Sequence, residues 1–207
     1  MQIRELSIAG AWEFTPAQYG DPRGVFLESF QAGPVAELTG HRFTLAQVNT
    51  SVSAAGVIRG VHFADVPPGQ AKYVTCASGA VLDVVVDLRT GSPTFGAYDA
   101  VLLDDADRKA VYLSEGLGHA FCSLQDGSTV TYLCSTAYNP AAEHGVHPMD
   151  PDLAIAWPTV GRDGAPLEFE LSAKDQIAPS LAEAADRGIL PRYGQVTAYL
   201  RGLADDD

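Results

Sequence analysis

Three basic side chains lie close together in a stretch of the chain that is otherwise apolar. Arg59 and His62 occur in the segment GVIRGVHF, and Lys72, one of only three lysines, follows ten residues after His62. An arginine fork suits phosphate, a lysine ammonium suits a developing oxyanion, and a histidine can accept a proton. The cluster indicates either acid–base chemistry on an anionic substrate or, as the simpler alternative, a structural histidine in a strand.

The spacing of Arg59 and His62 places a requirement on the backbone. Successive side chains of a regular strand point to opposite faces, so residues three apart do not share a face. If both side chains line one site, Gly60 must allow a bulge or a turn between them.

His119 and Tyr132 are further candidates for proton transfer. His119 follows the glycine-rich turn SEGLG, and Tyr132 lies in the apolar segment TVTYLCSTAY. A tyrosine hydroxyl can act as a general acid opposite a histidine base and deliver a proton to an enolate carbon. Tyr132 also shares a strand face with Val130 and Cys134, so a core position is the alternative interpretation.

The histidines do not have the spacing of a metal site. The metal site common in β-barrels needs two histidines one residue apart, and there is no histidine two residues before or after His62. His144 and His147 lie in a polar stretch without a nearby third ligand, so we predict that no metal is bound. The sequence also lacks a serine nucleophile elbow, a P-loop and a GxGxxG dinucleotide motif.

Short strands separated by turns must position these residues. The apolar segments are interrupted by turn sequences such as PPGQ, ASG and QDG. Many short strands at this spacing indicate a β-sandwich or barrel, and the absence of alternating strand–helix units argues against a doubly wound sheet. The predicted strands are Arg42–Ser53, Gly56–Phe63, Ala71–Ala77, Val81–Arg89, Ala110–Leu113, His119–Leu124 and Thr129–Tyr138.

The strand Val81–Arg89 has one apolar and one partly charged face. Leu82, Val84, Val86 and Leu88 form the apolar face, which we expect to be a core face. The other face carries Asp83, Asp87 and Arg89, and it is either solvated or the lining of a polar cavity. From this strand alone the solvated face is the expectation.

Helices are predicted only at the margins of a single domain covering residues 1–207. Ala32–Thr39 can form a helix that ends at Gly40, and Ser180–Arg187 begins with a serine cap and stops at Gly188. Residues after Pro191 form a weakly amphipathic tail. The core of the domain is expected at about 14–179 and the C-terminal helical extension at about 180–204.

Composition limits the partners of this chain. The net charge of −13 argues against nucleic acid and against a membrane surface, while a small anionic ligand would need a local cationic pocket.

The three cysteines, which have no paired spacing, are predicted to be buried thiols. The N-terminus lacks the apolar region of a signal peptide and no apolar run spans a membrane, so we expect a cytosolic protein. The acidic residues Asp205–Asp207 are expected to be an unstructured tail.

Together these residues resemble the dTDP-4-dehydrorhamnose 3,5-epimerase family. The resemblance runs from about Phe14 to Pro179 and rests on the order of several segments rather than on one motif. These segments are DPRGVFLESF, LAQVNTSVS, VIRGVHF, AKYVTCASGAVLDVVVDLRTGSPTFG, VYLSEGLGHAF, TYLCSTAYNPAAEHG, IAWP and LSAKD. The resemblance implies an all-β fold, a cupin-type jelly-roll barrel, with short helical extensions at both ends.

The resemblance also implies a role for each matching residue. His62 would be the catalytic base, Asp175 in LSAKD would orient it, and Tyr132 would be the acid on the opposite face of the sugar. Lys72 would lie beside the C4 keto oxygen. Contacts to the nucleotide, the diphosphate and the sugar would come from Arg23, Glu28, Gln47, Asn49, Arg59, His119, Glu143 and Lys174, and the ring that stacks on thymine from Tyr138.

The implied activity is epimerisation of a dTDP-4-keto-6-deoxyhexose at C3, at C5 or at both. No redox cofactor is expected, because the keto group is already present in the substrate, and a homodimer is expected from the family. The C-terminal extension and the loop PPGQAKY resemble variants from antibiotic deoxysugar pathways. The alternatives are a cupin ketoisomerase on a related nucleotide sugar, a non-catalytic sugar-binding barrel and a metal-dependent cupin oxygenase.

Overall fold

A computed structural model describes residues 1–205, and Asp206 and Asp207 lie outside the described residues. The strands are β1 Gln2–Glu5, β2 Ala11–Thr15, β3 Gln18–Asp21, β4 Gly24–Leu27, β5 Gln47–Ser53, β6 Val57–Ala64, β7 Lys72–Ser78, β8 Ala80–Val86, β9 Tyr98–Asp104, β10 Ala110–Leu113, β11 Gly118–Ser123, β12 Ser128–Cys134, β13 Glu143–Gly145 and β14 Glu170–Leu171. The helices are α1 Ala32–Thr39, α2 Ala173–Gln176, α3 Leu181–Asp186 and α4 Tyr193–Asp205.

Two antiparallel sheets form the jelly roll that the resemblance implies. The first sheet has the order β1-β2-β10-β7-β12-β5, and the second has the order β13-β6-β11-β8-β9, with β14 pairing in parallel with β6. Strands β3 and β4 form a separate hairpin. The strand ladders over residues 1–205 leave two sheets rather than one closed barrel. An apolar cluster with members from both sheets fills the space between them, including Val74 and Val130 from the first sheet and Val85 and Phe121 from the second.

The expectation of a solvated face on Val81–Arg89 is wrong. Asp83, Asp87 and Arg89 are all buried, with at most 3% of each residue exposed. They lie on the side of β8, or of its continuation to residue 89, that faces the first sheet. Val81 and Val85 lie on the same side and belong to the central cluster. The opposite, apolar side is buried as well, beneath the C-terminal part of the chain.

The C-terminal extension covers the outer face of the second sheet. Leu181 and Ala184 from α3 and Leu190 pack with Val84 and Val86 of β8 in one apolar cluster. Helix α3 begins at the predicted serine, whose side chain and that of the third helical residue form a reciprocal capping box. The extension therefore belongs to the packed core of the protein.

The predicted helices are confirmed, and two of their ends follow the expected signals. Helix α1 has the predicted bounds, and Gly40 ends it in the left-handed conformation with φ 78°. The tail after Pro191 is the helix α4, and Asp205 is its last residue. Asp205 is therefore helical, contrary to the expected unstructured tail, while the rest of that tail is not described.

Several predicted strand bounds need correction. Residues 42–46 of the predicted strand Arg42–Ser53 are irregular, and β12 ends at Cys134 rather than at residue 138. The three cysteines are buried free thiols, as predicted. None of the helices over residues 1–205 has the length and apolar character needed to cross a membrane.

Candidate active site

A bulge at Gly60 brings Arg59 and His62 to the same cavity. His62 is paired with His119 of β11, but Arg59 is paired with Phe121, so two residues of β6 oppose one residue of β11. Gly60 has φ 118°, and a Cβ atom there would lie 2.5 Å from the Ala120 Cβ atom. The predicted irregularity is confirmed, and Arg59 and His62 line one cavity.

His62 is held by a buried carboxylate from a distant part of the chain. Its Nε2 atom lies 2.7 Å from Oδ1 of Asp175, and the Ser172 hydroxyl donates to Oδ2 at 2.9 Å. Ser172 is also the N-cap of α2, and its side chain accepts a hydrogen bond from the Asp175 backbone N–H. The same serine therefore caps the helix and orients the Asp175 carboxylate. The His62 side chain remains 35% exposed towards the cavity.

Two opposing effects set the charge of Asp175. Burial raises its pKa, but the interactions with His62, Ser172 and the Gly60 backbone outweigh this effect and bring the pKa below its usual value. Asp175 is therefore ionised at neutral pH. An ionised carboxylate on Nε2 fixes the orientation of the imidazole and stabilises the imidazolium that forms when His62 accepts a proton.

Lys72 and Tyr132 face each other across neighbouring strands of the first sheet. The Lys72 Nζ atom lies 6.0 Å from the centre of the Tyr132 ring. Burial lowers the pKa of Lys72, and burial raises the pKa of Tyr132. Tyr132 is therefore a neutral phenol that can donate a proton. The Lys72 side chain is poorly solvated by water, so it is placed to interact strongly with an oxyanion.

A second histidine–aspartate pair lies beside the first. The Nε2 atom of His119 is 2.7 Å from Oδ2 of Asp83, and both side chains are buried. The rings of His119 and Tyr132 are 6.5 Å apart. Asp83 was not among the predicted site residues, although an aspartate that interrupts an apolar strand was a visible signal. Ser172 was not among them either, although it lies three residues before Asp175.

Two adjoining cavities collect most of the predicted site residues. Cavities of about 210 and about 470 Å³ share His62, Lys72, Tyr132 and Lys174. The smaller cavity is also lined by Arg59, His119 and Asp175, and the larger one by Gln47, Asn49, Tyr138 and Glu143. A hydrogen-bonded chain lines one side of the larger cavity, in which Gln47 donates to Asn49 and accepts from the Tyr138 backbone. Within residues 1–205 no three His, Cys, Asp or Glu side chains form a group that could hold a metal ion.

Arg23 and Glu28 are not brought to these cavities within one chain. Arg23 lies in the turn of the β3–β4 hairpin, where it forms an exposed ion pair with Asp21. Glu28 follows β4 and accepts a hydrogen bond from Gln31 at the surface. The geometry therefore separates these two predicted contacts from the others.

Comparisons with known proteins identify the family of this chain. The sequence profile described as dTDP-4-dehydrorhamnose 3,5-epimerase matches residues 5–183. The chain belongs to the dTDP-4-dehydrorhamnose 3,5-epimerase family. This match confirms the family resemblance seen in the sequence. Members of this family are isomerases, and the jelly roll described above is the fold of the family.

Relatives with two different named activities are similar to this chain. A dTDP-4-dehydrorhamnose 3-epimerase from Streptomyces niveus is 58% identical over 198 residues, which cover 96% of this chain and 92% of the relative. A dTDP-4-dehydrorhamnose 3,5-epimerase from Mycolicibacterium smegmatis is 57% identical and covers 98% of this chain and 97% of its own length. The high identity thus extends both to a relative named as a 3-epimerase and to a relative named as a 3,5-epimerase.

Solved structures of family members superpose closely. The epimerase from Mycobacterium tuberculosis has a TM-score of 0.93 at 52% identity, covering 98% of this chain and 100% of that chain. The 3′-monoepimerase ChmJ from Streptomyces bikiniensis, in complex with dTDP-quinovose, has a TM-score of 0.90 at 48% identity and covers 96% and 98%. The second of these structures holds a dTDP-sugar.

Proposed function

We propose that this protein inverts C3, C5 or both in a dTDP-4-keto-6-deoxyhexose by cofactor-free proton transfer. The observation that carries the proposal is one cavity that holds a carboxylate-bound histidine, a neutral and partly buried tyrosine and a buried lysine. These groups are a base, an acid and an oxyanion partner. Binding of a sugar alone requires none of the three in these states.

The chemistry follows from the acidity of a carbon next to a ketone. His62 removes the proton from that carbon, and the electrons move to the C4 oxygen to form an enolate whose negative charge Lys72 stabilises. Tyr132 then donates a proton to the same carbon from the opposite face of the ring, and the carbon is inverted. Each positioned proton transfer contributes about 10²–10⁴-fold to the rate.

The nucleotide is proposed to lie along the two cavities. Arg59 suits the diphosphate because its guanidinium reaches the smaller cavity and presents a planar fork. Tyr138 is 55% exposed at the larger cavity and offers a ring for stacking on thymine. Gln47, Asn49, Glu143 and Lys174 are the proposed remaining contacts to the nucleotide, and His119 is a proposed contact to the sugar beside His62 and Tyr132. Arg59, Lys72 and Lys174 form the local positive pocket that a substrate with a diphosphate needs in a chain of net charge −13.

Arg23 and Glu28 are proposed to complete the site of a second copy in a homodimer. Their hairpin exposes Tyr19 and Phe26, with 61% and 65% of each residue accessible. Exposed aromatic side chains next to an arginine are typical of surfaces that become buried on association. A cytosolic location belongs to the same proposal, because three free thiols suit a reducing compartment.

Mixing two inactive variants tests the shared site. Arg23→Ala and His62→Ala chains are each expected to form inactive homodimers. In a heterodimer, the chain with intact His62 would receive Arg23 from its partner, so random mixing should restore about a quarter of the wild-type activity. Absence of any recovery in mixed dimers, each variant being folded, would place Arg23 outside the partner's site.

The reaction itself is tested with dTDP-4-keto-6-deoxyglucose in D₂O, following C3 and C5 by NMR. Deuterium with inversion at one carbon or at both identifies a monoepimerase or a double epimerase. A product with a shifted keto group would instead identify a ketoisomerase, and bound ligand without exchange would identify a binding protein. Activity that a chelator abolishes would favour a metal-dependent enzyme, and His62→Ala with full turnover would refute the mechanism.

A further inference from the structure

Asp83 is a second buried carboxylate at the site, and one of its oxygens has no partner. Only 1% of the residue is exposed, and Oδ2 bonds to His119. Oδ1 is fully buried and has no hydrogen-bond partner among residues 1–205. An ionised carboxylate in this position is unfavourable unless nearby positive charge compensates for the loss of water.

The surroundings of Asp83 do little to screen its charge. Val81 and Val85 flank it on the same face of β8, and both are buried. Val101 and Phe121 are opposite it on the two neighbouring strands, and they are also buried. Apolar neighbours of this kind lower the local polarity, so the field of Asp83 extends further than it would at the surface.

Lys72 is the cation on which this field acts. Burial lowers the pKa of Lys72, and Cys134, Glu143 and Asp83 oppose that effect. The Cys134 thiol is neutral at neutral pH, because burial raises its own pKa. Glu143 is partly exposed at the larger cavity, where water screens it. Of the two carboxylates that oppose the effect of burial on Lys72, Asp83 is therefore the fully buried one.

The other groups around the two cavities do not replace Asp83. Besides Lys72 itself, the titratable and charged side chains here are Arg59 and His62 from β6, Asp83 from β8, His119 from β11, Tyr132 and Cys134 from β12, Tyr138 after β12, Glu143 from β13, and Lys174 and Asp175 from α2. Asp175 already bonds to His62 and Ser172 through its two oxygens. Asp83 alone among these anions has a buried oxygen without a partner.

We propose that Asp83 is a positioning residue for the epimerisation, which holds the His119 ring in place and keeps the positive charge on Lys72 at the enolate oxygen. This inference rests on the proposed function, because it concerns the enolate that His62 produces. Asp83 touches His119 and acts on Lys72 from a distance. Its effect must therefore appear in catalysis and in the pH profile rather than in nucleotide binding.

Asp83→Asn tests this role, because asparagine has nearly the same shape and no charge. We expect kcat at pH 7.5 to fall by about 10- to 100-fold with little change in KM, because the hydrogen bond from His119 to a charged group is lost. The alkaline limb of the kcat profile should move to lower pH by about one unit, because Lys72 loses a compensating anion. Asp83→Ser, also uncharged, should give the same shift if the asparagine variant does not fold.

The matched control is Asp99→Asn, which makes the same change on the neighbouring strand β9. Asp99 accepts a hydrogen bond from the Ser7 backbone and lines neither cavity. Its kcat profile should remain that of the wild type. A folded Asp83→Asn protein with an unmoved alkaline limb and unchanged kcat would overturn the proposal.

A double-mutant cycle separates the two effects of Asp83. In a His119→Asn background, Asp83→Asn should still move the alkaline limb, because the effect on Lys72 does not pass through His119. If the limb no longer moves in that background, Asp83 acts only by holding His119 and the claim about Lys72 is wrong. A wild-type protein that exchanges no proton at C3 or C5 would refute the proposed function instead, so the two failures are distinguishable.

Discussion

Replacement of Asp175 by asparagine tests how much the buried carboxylate contributes to the base. The substitution keeps the size of the side chain and removes the charge that faces His62 Nε2 at 2.7 Å. A hydrogen bond to a charged group contributes about 1.5–3 kcal/mol. Since 35% of the His62 side chain is exposed to solvent, we take the lower part of this range, about 1.5–2 kcal/mol. At 1.36 kcal/mol for each factor of ten, kcat should fall about 10- to 30-fold.

The assay is the initial rate of deuterium incorporation at saturating substrate, with folding checked by circular dichroism. Asp65→Asn is the matched control, because Asp65 forms a similar pair with His144, at 2.8 Å, outside the two cavities. The control should retain kcat within about twofold, as expected for an exposed pair. A folded Asp175→Asn protein with the kcat of the control would refute the idea that this carboxylate supports the base.

Further predictions concern the acid, the bulge, a helix cap and acid stability. Tyr132→Phe should abolish inversion while His62 still exchanges the proton from its own face, so NMR should show deuterium with retained configuration; inversion at the wild-type rate would exclude Tyr132 as the acid. Gly60→Ala should lower kcat at least tenfold, because its Cβ would overlap Ala120, whereas Gly164→Ala, at a positive φ with nothing within 4 Å, should leave kcat unchanged; equal kcat values would show that the bulge has no role. Ser180→Ala removes a capping box and should lower the free energy of unfolding in urea by about 1 kcal/mol, and no change would mean that the cap does not stabilise the extension. The lowered pKa of Asp175 stabilises the folded state above the carboxyl's unfolded pKa of about 3.9, and this advantage over Asp175→Asn should disappear as the pH falls through the lowered folded value; an advantage that persists in acid would contradict this.

Local signals predicted the parts of the fold that local interactions determine. Helix α1 ends where a glycine can adopt positive φ, and β10 has the predicted bounds because its four residues are apolar between polar turns. The bulge at Gly60 was predicted because Arg59 and His62 could share a site only if the alternation broke. Each of these features depends on a few neighbouring residues.

Features that depend on tertiary packing were harder to predict. The charged face of Val81–Arg89 resembles a solvated face in sequence, and only the facing sheet makes it buried. The pairing of Asp83 with His119 depends on which strands are neighbours in the sheet. The alternation of apolar and polar residues along one strand does not reveal that order. The link between His62 and Asp175 came from resemblance to a family, because 113 residues separate the two.

That separation has a consequence for how the protein becomes active during synthesis and folding. The base lies on β6, but the carboxylate that orients it lies on α2, in the segment that pairs with β6 in parallel and leads into the C-terminal extension. Contacts between residues so far apart in sequence require a large loss of chain entropy before they contribute stability. Proton exchange at the substrate should therefore appear only after this distant segment has docked, so enzymatic activity would report the end of folding.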